Sequence, residues 1–232
     1  MLDEKTREEL EERAKTALSH HKKNRKVPLV VEFAGSPKAG KTTNIDIIEH
    51  LFKRIGFKIW APTEGASKRT PYHLKRDLVA FNCWSLNYAI SEILVAYNNV
   101  DPHDLVILDR GPFDSLAWMG LLRDRGELKD DEYKVIKNFA LHNKWLSCIS
   151  RIYLFTCRPD VSLERENEVK LISRPGTAMN TNMLTELLQQ YENLKEEQTQ
   201  CPLFPVETSD TTSPLGTALE IANDLIALFS SR

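Results

Sequence analysis

Residues 35–42 read Gly-Ser-Pro-Lys-Ala-Gly-Lys-Thr and fit G-x-x-x-x-G-K-[ST]. Each residue type answers a need of a bound phosphate chain. Gly35 and Gly40 let the backbone curl until its N–H groups converge on an anion. A helix that begins directly afterwards adds the positive end of its dipole. Lys41 is placed to reach the β- and γ-phosphates of a nucleoside triphosphate, and Thr42 to ligate Mg²⁺ through its hydroxyl. Ser36, Pro37, Lys38, Ala39 and Thr43 complete the phosphate-binding segment. The chemistry expected of this loop is ATP binding with Mg²⁺.

Two further groups supply what a phosphate cradle lacks. Asp109-Arg110-Gly111-Pro112 follows the apolar run Leu105 to Leu108. An acid leaving the carboxyl end of a central strand stands in the ligand crevice of an open α/β sheet. Asp109 is thus a second candidate Mg²⁺ ligand, and Arg110 a clamp for an acceptor's phosphate or hydroxyl. Farther on, Arg165, Lys170 and Arg174 precede Pro175-Gly176. A cationic segment of this kind, about 158–180, suits a lid that closes over a triphosphate. There Arg165 and Arg174 would offset the charge on a moving phosphoryl group, whereas Lys170 reads as part of a solvated face.

The elements that must hold these groups are legible in the pattern. Leu29 to Ala34 is mostly apolar and β-branched, a buried strand, and Ile45, Ile47, Ile48, Leu51 and Phe52 follow at helical spacing up to Ile55. Further strands are expected at 58–61, 105–108, 151–156 and 203–206. Helices are expected at 74–97, 113–124, 131–147, 161–170, 181–198 and 214–229. Strands alternating with helices imply a parallel sheet covered on both faces. Residues 1–26 stand apart as a charged, exposed amphipathic helix with a sparse stripe of Leu2, Leu10, Ala14, Ala17 and Leu18, ending in the basic stretch 20–26. Residues 27–232 then form the main domain.

The 232 residues carry a net charge of −2, which gives no global pull toward nucleic acid or an anionic membrane. The four cysteines form no C-x-x-C pair and read as reduced thiols, with Cys148 and Cys157 in the core. No apolar run approaches the roughly 20 residues of a membrane span. The charged N-terminus does not resemble a signal sequence. These observations predict a cytoplasmic protein with no membrane partner.

The loop, the Asp-Arg step after a central strand and Leu163-Glu164-Arg165, in this order from about residue 28 to 229, resemble the thymidylate kinase and deoxynucleoside kinase group. That resemblance implies a three-layer α/β/α P-loop NTPase fold with a five-stranded parallel sheet and a helical lid. It also implies γ-phosphoryl transfer from ATP to a nucleoside or nucleoside monophosphate. Lys38 falls where some thymidylate kinases carry an arginine that reaches the transferred phosphate. Glu64, in Thr63-Glu64-Gly65, lies where the family places a substrate-binding or catalytic acid, a candidate general base for a hydroxyl acceptor or a ligand for a sugar hydroxyl. Phe81-Asn82-Cys83-Trp84 resembles an Asn-Arg-Trp segment, with Cys83 in place of the base-contacting arginine, which leaves the acceptor open. Phe81, Trp84 and Tyr88 share a helix sector that reads as core or as a base-stacking wall, and Asn82 or Asn87 could read a base edge. Relatives that dimerise through long helices suggest a homodimer through 74–97 or 113–147. Two other readings stand beside this one. A polynucleotide 5′-hydroxyl kinase would hold a strand with the basic stretch 20–26. A regulatory NTP-binding protein would use its nucleotide state to present the N-terminal helix.

Overall fold

The strands are short apolar runs, and the inner ones bury both faces, as parallel strands between helices must. In the computed structural model, which describes residues 3–24, 27–62, 68–99, 102–169, 179–197, 201–210 and 213–231, they pair into one all-parallel sheet. The strands are β1 (Leu29–Gly35), β2 (Ile59–Trp60), β3 (Leu105–Asp109), β4 (Ile149–Thr156) and β5 (Leu203–Glu207), in the order β2-β3-β1-β4-β5. The central β1 is buried throughout. From it the chain winds first to one side and then to the other, so a crevice opens at its carboxyl end, where ligands bind in such sheets.

Alternate residues of β1 feed two cores. Leu29, Val31 and Phe33 pack with α2 (Lys41–Ile55) and α9 (Pro214–Ser230). Val30 and Ala34 face α3 (Leu78–Tyr97), α4 (Pro112–Asp124) and α8 (Thr181–Glu197). This is the expected three-layer α/β/α arrangement.

The amino-terminal helix α1 (Glu4–Asn24) is exposed only on its outer side. The stripe Leu10, Ala14, Ala17 and Leu18 is buried in the same core as Phe52, Ile221 and Phe229. Arg13 donates to Asn223 Oδ1 at 2.8 Å, and the His21 ring meets Phe229 edge-on at 5.0 Å. The expectation of an exposed helix is corrected for this inner face.

Several boundaries also differ from expectation. The helix expected from residue 74 starts at Leu78, because Asp77 caps it by accepting the Ala80 N–H at 3.0 Å; Tyr72–Arg76 is a separate 3₁₀ turn. The single helix expected at 131–147 is two, α5 (Asp130–Ala140) and α6 (Asn143–Leu146). His142 breaks it with an extended backbone, ψ 130°, and its Nδ1 accepts the Lys144 N–H. By length and composition, α3 is apolar enough to cross a membrane, which corrects the reading that no run approaches that length. Its residues Leu86, Ile90, Ile93 and Ala96 are buried in the core with α4. Cys148 and Cys157 are buried as expected, and Cys201 with them.

Candidate active site

The phosphate loop joins β1 to α2. Gly35 has φ +133°, and a Cβ there would lie 1.9 Å from the Phe155 carbonyl oxygen of β4, so only glycine fits. Gly40 caps α2 from the left-handed region at φ +90°. The Lys41 ammonium donates to the Gly35 and Ser36 carbonyls at 2.8 Å each, within the turn of the loop. Outside glycine, two described residues have positive φ: Lys38 at 60° and Arg110 at 68°. Both are cations lining the same cleft of about 680 Å³. Strained backbone held in place by surrounding structure is typical of functional positions.

β3 delivers the second group to the same edge of the sheet, with Phe33 of β1 in register with Asp109. The Thr42 hydroxyl donates to Asp109 Oδ2 at 2.9 Å, although the two lie 67 residues apart. A hydroxyl and a carboxylate are hard oxygen ligands suited to Mg²⁺, which takes few protein ligands and completes its shell with phosphate and water. No group of three or more His, Cys, Asp or Glu that could hold a metal occurs among the described residues. The Thr42 hydroxyl and Asp109 carboxylate are chemically suited to hold Mg²⁺.

Beneath Arg110 lies a buried polar network. Asp114, in the first turn of α4, accepts from the Arg110 guanidinium through Oδ2 at 2.6 Å. Its Oδ1 accepts from the Gly35 backbone N–H at 2.9 Å and from the Tyr191 hydroxyl at 2.7 Å. Burial, reinforced by the charge of Asp114, pushes the Tyr191 phenol well above its ordinary range, so it stays a donor. Glu32, fully buried on β1, accepts the N–H groups of Gly111 (2.9 Å), Asp114 (2.8 Å) and Phe113 (3.2 Å) at the start of α4. Burial raises its carboxyl to about 8, and the charge of Asp114 adds to that, while the three N–H groups pull the other way. A Cβ on Gly111 would come within 2.5 Å of the Glu32 carboxyl, so any larger residue would have to displace that hydrogen-bonded carboxyl. That accounts for glycine after Asp109-Arg110.

α7 (Pro159–Val169) docks on the outside of the loop. Ser162 donates to the Pro37 carbonyl at 2.7 Å, and Lys38 pairs with Glu166 at 2.9 Å. Arg165 donates to the Lys38 carbonyl at 3.1 Å and to the Thr208 carbonyl at 2.6 Å, bridging the loop to the end of β5. Lys38, Lys41, Thr42, Asp109, Arg110 and Arg165 are thus gathered in one cleft. Glu64, Lys170 and Arg174 lie outside the described residues.

Cys83 packs toward the cluster of Met119, Leu122 and Tyr133 between α3, α4 and α5. Asn82 and Asn87 both donate to helix carbonyls four residues back, at 2.8 Å. Trp84 and Tyr88 stack on one another, half-buried, with centroids 5.4 Å apart. Sequence reasoning missed Glu32, Asp114, Tyr191, Ser162, Glu166 and Thr208. Glu32 alone announced itself locally, as a charge inside an otherwise apolar strand.

No protein-family model matches the sequence, and no curated protein sequence matches it. Solved structures do. Deoxyadenosine kinase from M. mycoides with bound dATP superposes with a TM-score of 0.59 at 18% identity, covering 84% of this chain and 100% of that one. The same kinase with the products dCMP and dCDP gives 0.63 at 16% identity, over 86% of this chain and 100% of that one. With bound dCTP it gives 0.58 at 16% identity, over 84% and 100%. The chain has a P-loop, deoxynucleoside-kinase-like fold.

Proposed function

We propose that the protein is an ATP- and Mg²⁺-dependent phosphotransferase that moves the γ-phosphoryl group to a nucleoside or nucleoside monophosphate. The observation that carries this reading is the Thr42–Asp109 contact at 2.9 Å, which brings the phosphate loop and the Asp-Arg step to one point. A phosphate loop alone binds a nucleotide. A loop with an acid at its metal position and a buttressed arginine beside it has the parts of a transfer site.

Lys41 and the loop N–H groups would hold the donor's phosphates. Thr42 and Asp109 would hold Mg²⁺, which would offset phosphate charge when bound. Arg110 would position the acceptor, whose oxygen forms a bond to the γ-phosphorus as the bond to the ADP leaving group breaks. Lys38 and Arg165 flank the moving group, and Arg174 is expected to join them. Such catalysis is mostly alignment and fixed charge. For a 5′-hydroxyl acceptor, Glu64 remains the expected base. The deoxyadenosine kinase structures bind deoxynucleotides, which favours a deoxynucleoside acceptor here. Cys83, packed against the Met119 and Leu122 cluster, supports a pocket without thymidylate kinase's base-contacting arginine.

The metal assignment is tested with Asp109→Asn and Thr42→Ala. Both should raise the Mg²⁺ concentration needed for half-maximal transfer and lower the maximal rate by about 10² or more, with unchanged thermal unfolding. Transfer independent of Mg²⁺, or full activity in Asp109→Asn at ordinary Mg²⁺, would count against the reading.

A further inference from the structure

The two halves of the cleft come from different strands, and something must set their separation. Backbone pairing of β1 with β3 fixes Phe33 opposite Asp109, but it does not orient the Arg110 side chain. The Arg110 backbone sits at φ 68°, a conformation most residues avoid. Its guanidinium meets Asp114 one helical turn later, at 2.6 Å. The second oxygen of the same carboxylate accepts from the N–H of Gly35, the first residue of the phosphate loop. Asp114 is 2% exposed, so water does not screen these bonds. Tyr191 of α8 donates to the same Oδ1 as Gly35, at 2.7 Å, and Glu32 fixes the Asp114 backbone through its N–H at 2.8 Å.

We propose that Asp114 is a positioning residue that registers the acceptor-side arginine against the phosphate loop through one buried carboxylate. The inference rests on the kinase reading, since only in a transfer site does the separation of these two groups set a rate. Asp114 touches neither donor nor acceptor. It acts through Arg110 and Gly35, holding the guanidinium toward the acceptor and the loop in the shape that receives the donor. A misplacement of about 1 Å between reacting groups costs about 10²-fold in rate.

The test is a double-mutant cycle. Asp114→Asn is the variant of choice, because its carbonyl still accepts from Gly35 and Tyr191 while its amide faces Arg110 donor to donor. Asp114→Ala would strand all three donors and threatens the fold. Asp114→Asn should lower kcat/KM for the acceptor about 10²-fold and change the KM for ATP much less. Arg110→Ala should cost at least as much, and the double variant no more than Arg110→Ala alone. Multiplicative losses would overturn the proposal, since a merely structural Asp114 acts independently of Arg110. A second readout needs no catalysis. In ¹⁵N-labelled protein, Arg110→Ala should move the Gly35 amide resonance in the wild-type background and not in Asp114→Asn. A Gly35 resonance indifferent to Arg110 would also overturn it. If the wild-type protein phosphorylates no nucleoside or nucleotide while the amide coupling is present, the kinase reading falls and the structural link stands.

Discussion

Replacing Glu32 by glutamine should remove the pH dependence of stability that this one position contributes. In the folded protein the carboxyl is raised from 4.5 to about 8, first by burial and then by the charge of Asp114. Between those values the folded state keeps a proton that the unfolded chain releases. Stability from this group is therefore highest below the unfolded value and falls as pH rises toward 8. Over roughly 3.5 pH units, at about 1.4 kcal/mol each, the loss is on the order of 5 kcal/mol. Glutamine has no such titration. Its carbonyl can still accept from Gly111 and Asp114, and the strained third contact, to Phe113, costs about 1 kcal/mol. Urea unfolding at pH 4 and pH 9 is the assay. Glu32→Gln should be slightly less stable than wild type at pH 4, below the unfolded value, and more stable by several kcal/mol at pH 9, so the two curves cross. Parallel curves would refute the reasoning. They would show that the three amide donors and the start of α4 outweigh burial and keep Glu32 ionised.

Gly35→Ala should abolish nucleotide binding, because its Cβ would overlap the Phe155 carbonyl and force β1 from β4; a binding isotherm equal to wild type would contradict the loop geometry. Glu166→Gln frees Lys38 from a pair whose lysine is 36% exposed and whose worth is at most about 1 kcal/mol. ATP affinity by calorimetry should rise, by no more than about fivefold, with the gain shrinking in high salt. A fall in affinity would mean that Glu166 orients Lys38 for the phosphate instead of competing for it.

What the sequence revealed was what is local. The phosphate loop lies in eight consecutive residues, and Asp109 follows directly from its own strand, so both could be read without the fold. The bond between Thr42 and Asp109 needed only the inference that β1 and β3 are neighbours. The Asp114 network was not legible, because it joins Gly35, Arg110 and Tyr191 across up to 79 residues. Asp114 in the sequence is an ordinary first-turn acid. Glu32 could have been noticed, since a carboxylate in a strand buried on both faces must find donors or hold a proton. The break at His142 was hidden because the helical periodicity continues through it. The inner face of α1 was underestimated because two of its four buried apolar residues are alanines.

The central claim, that this cleft transfers phosphoryl groups to a nucleoside or nucleotide, is tested most directly with γ-labelled ATP. Wild-type protein and Lys41→Ala would be incubated with ATP, Mg²⁺ and a panel of deoxynucleosides, nucleoside monophosphates and 5′-hydroxyl oligonucleotides. Label should appear in a nucleoside mono- or diphosphate with the wild type and be lost with Lys41→Ala. Label released only as inorganic phosphate, or carried only on the oligonucleotide, would contradict it.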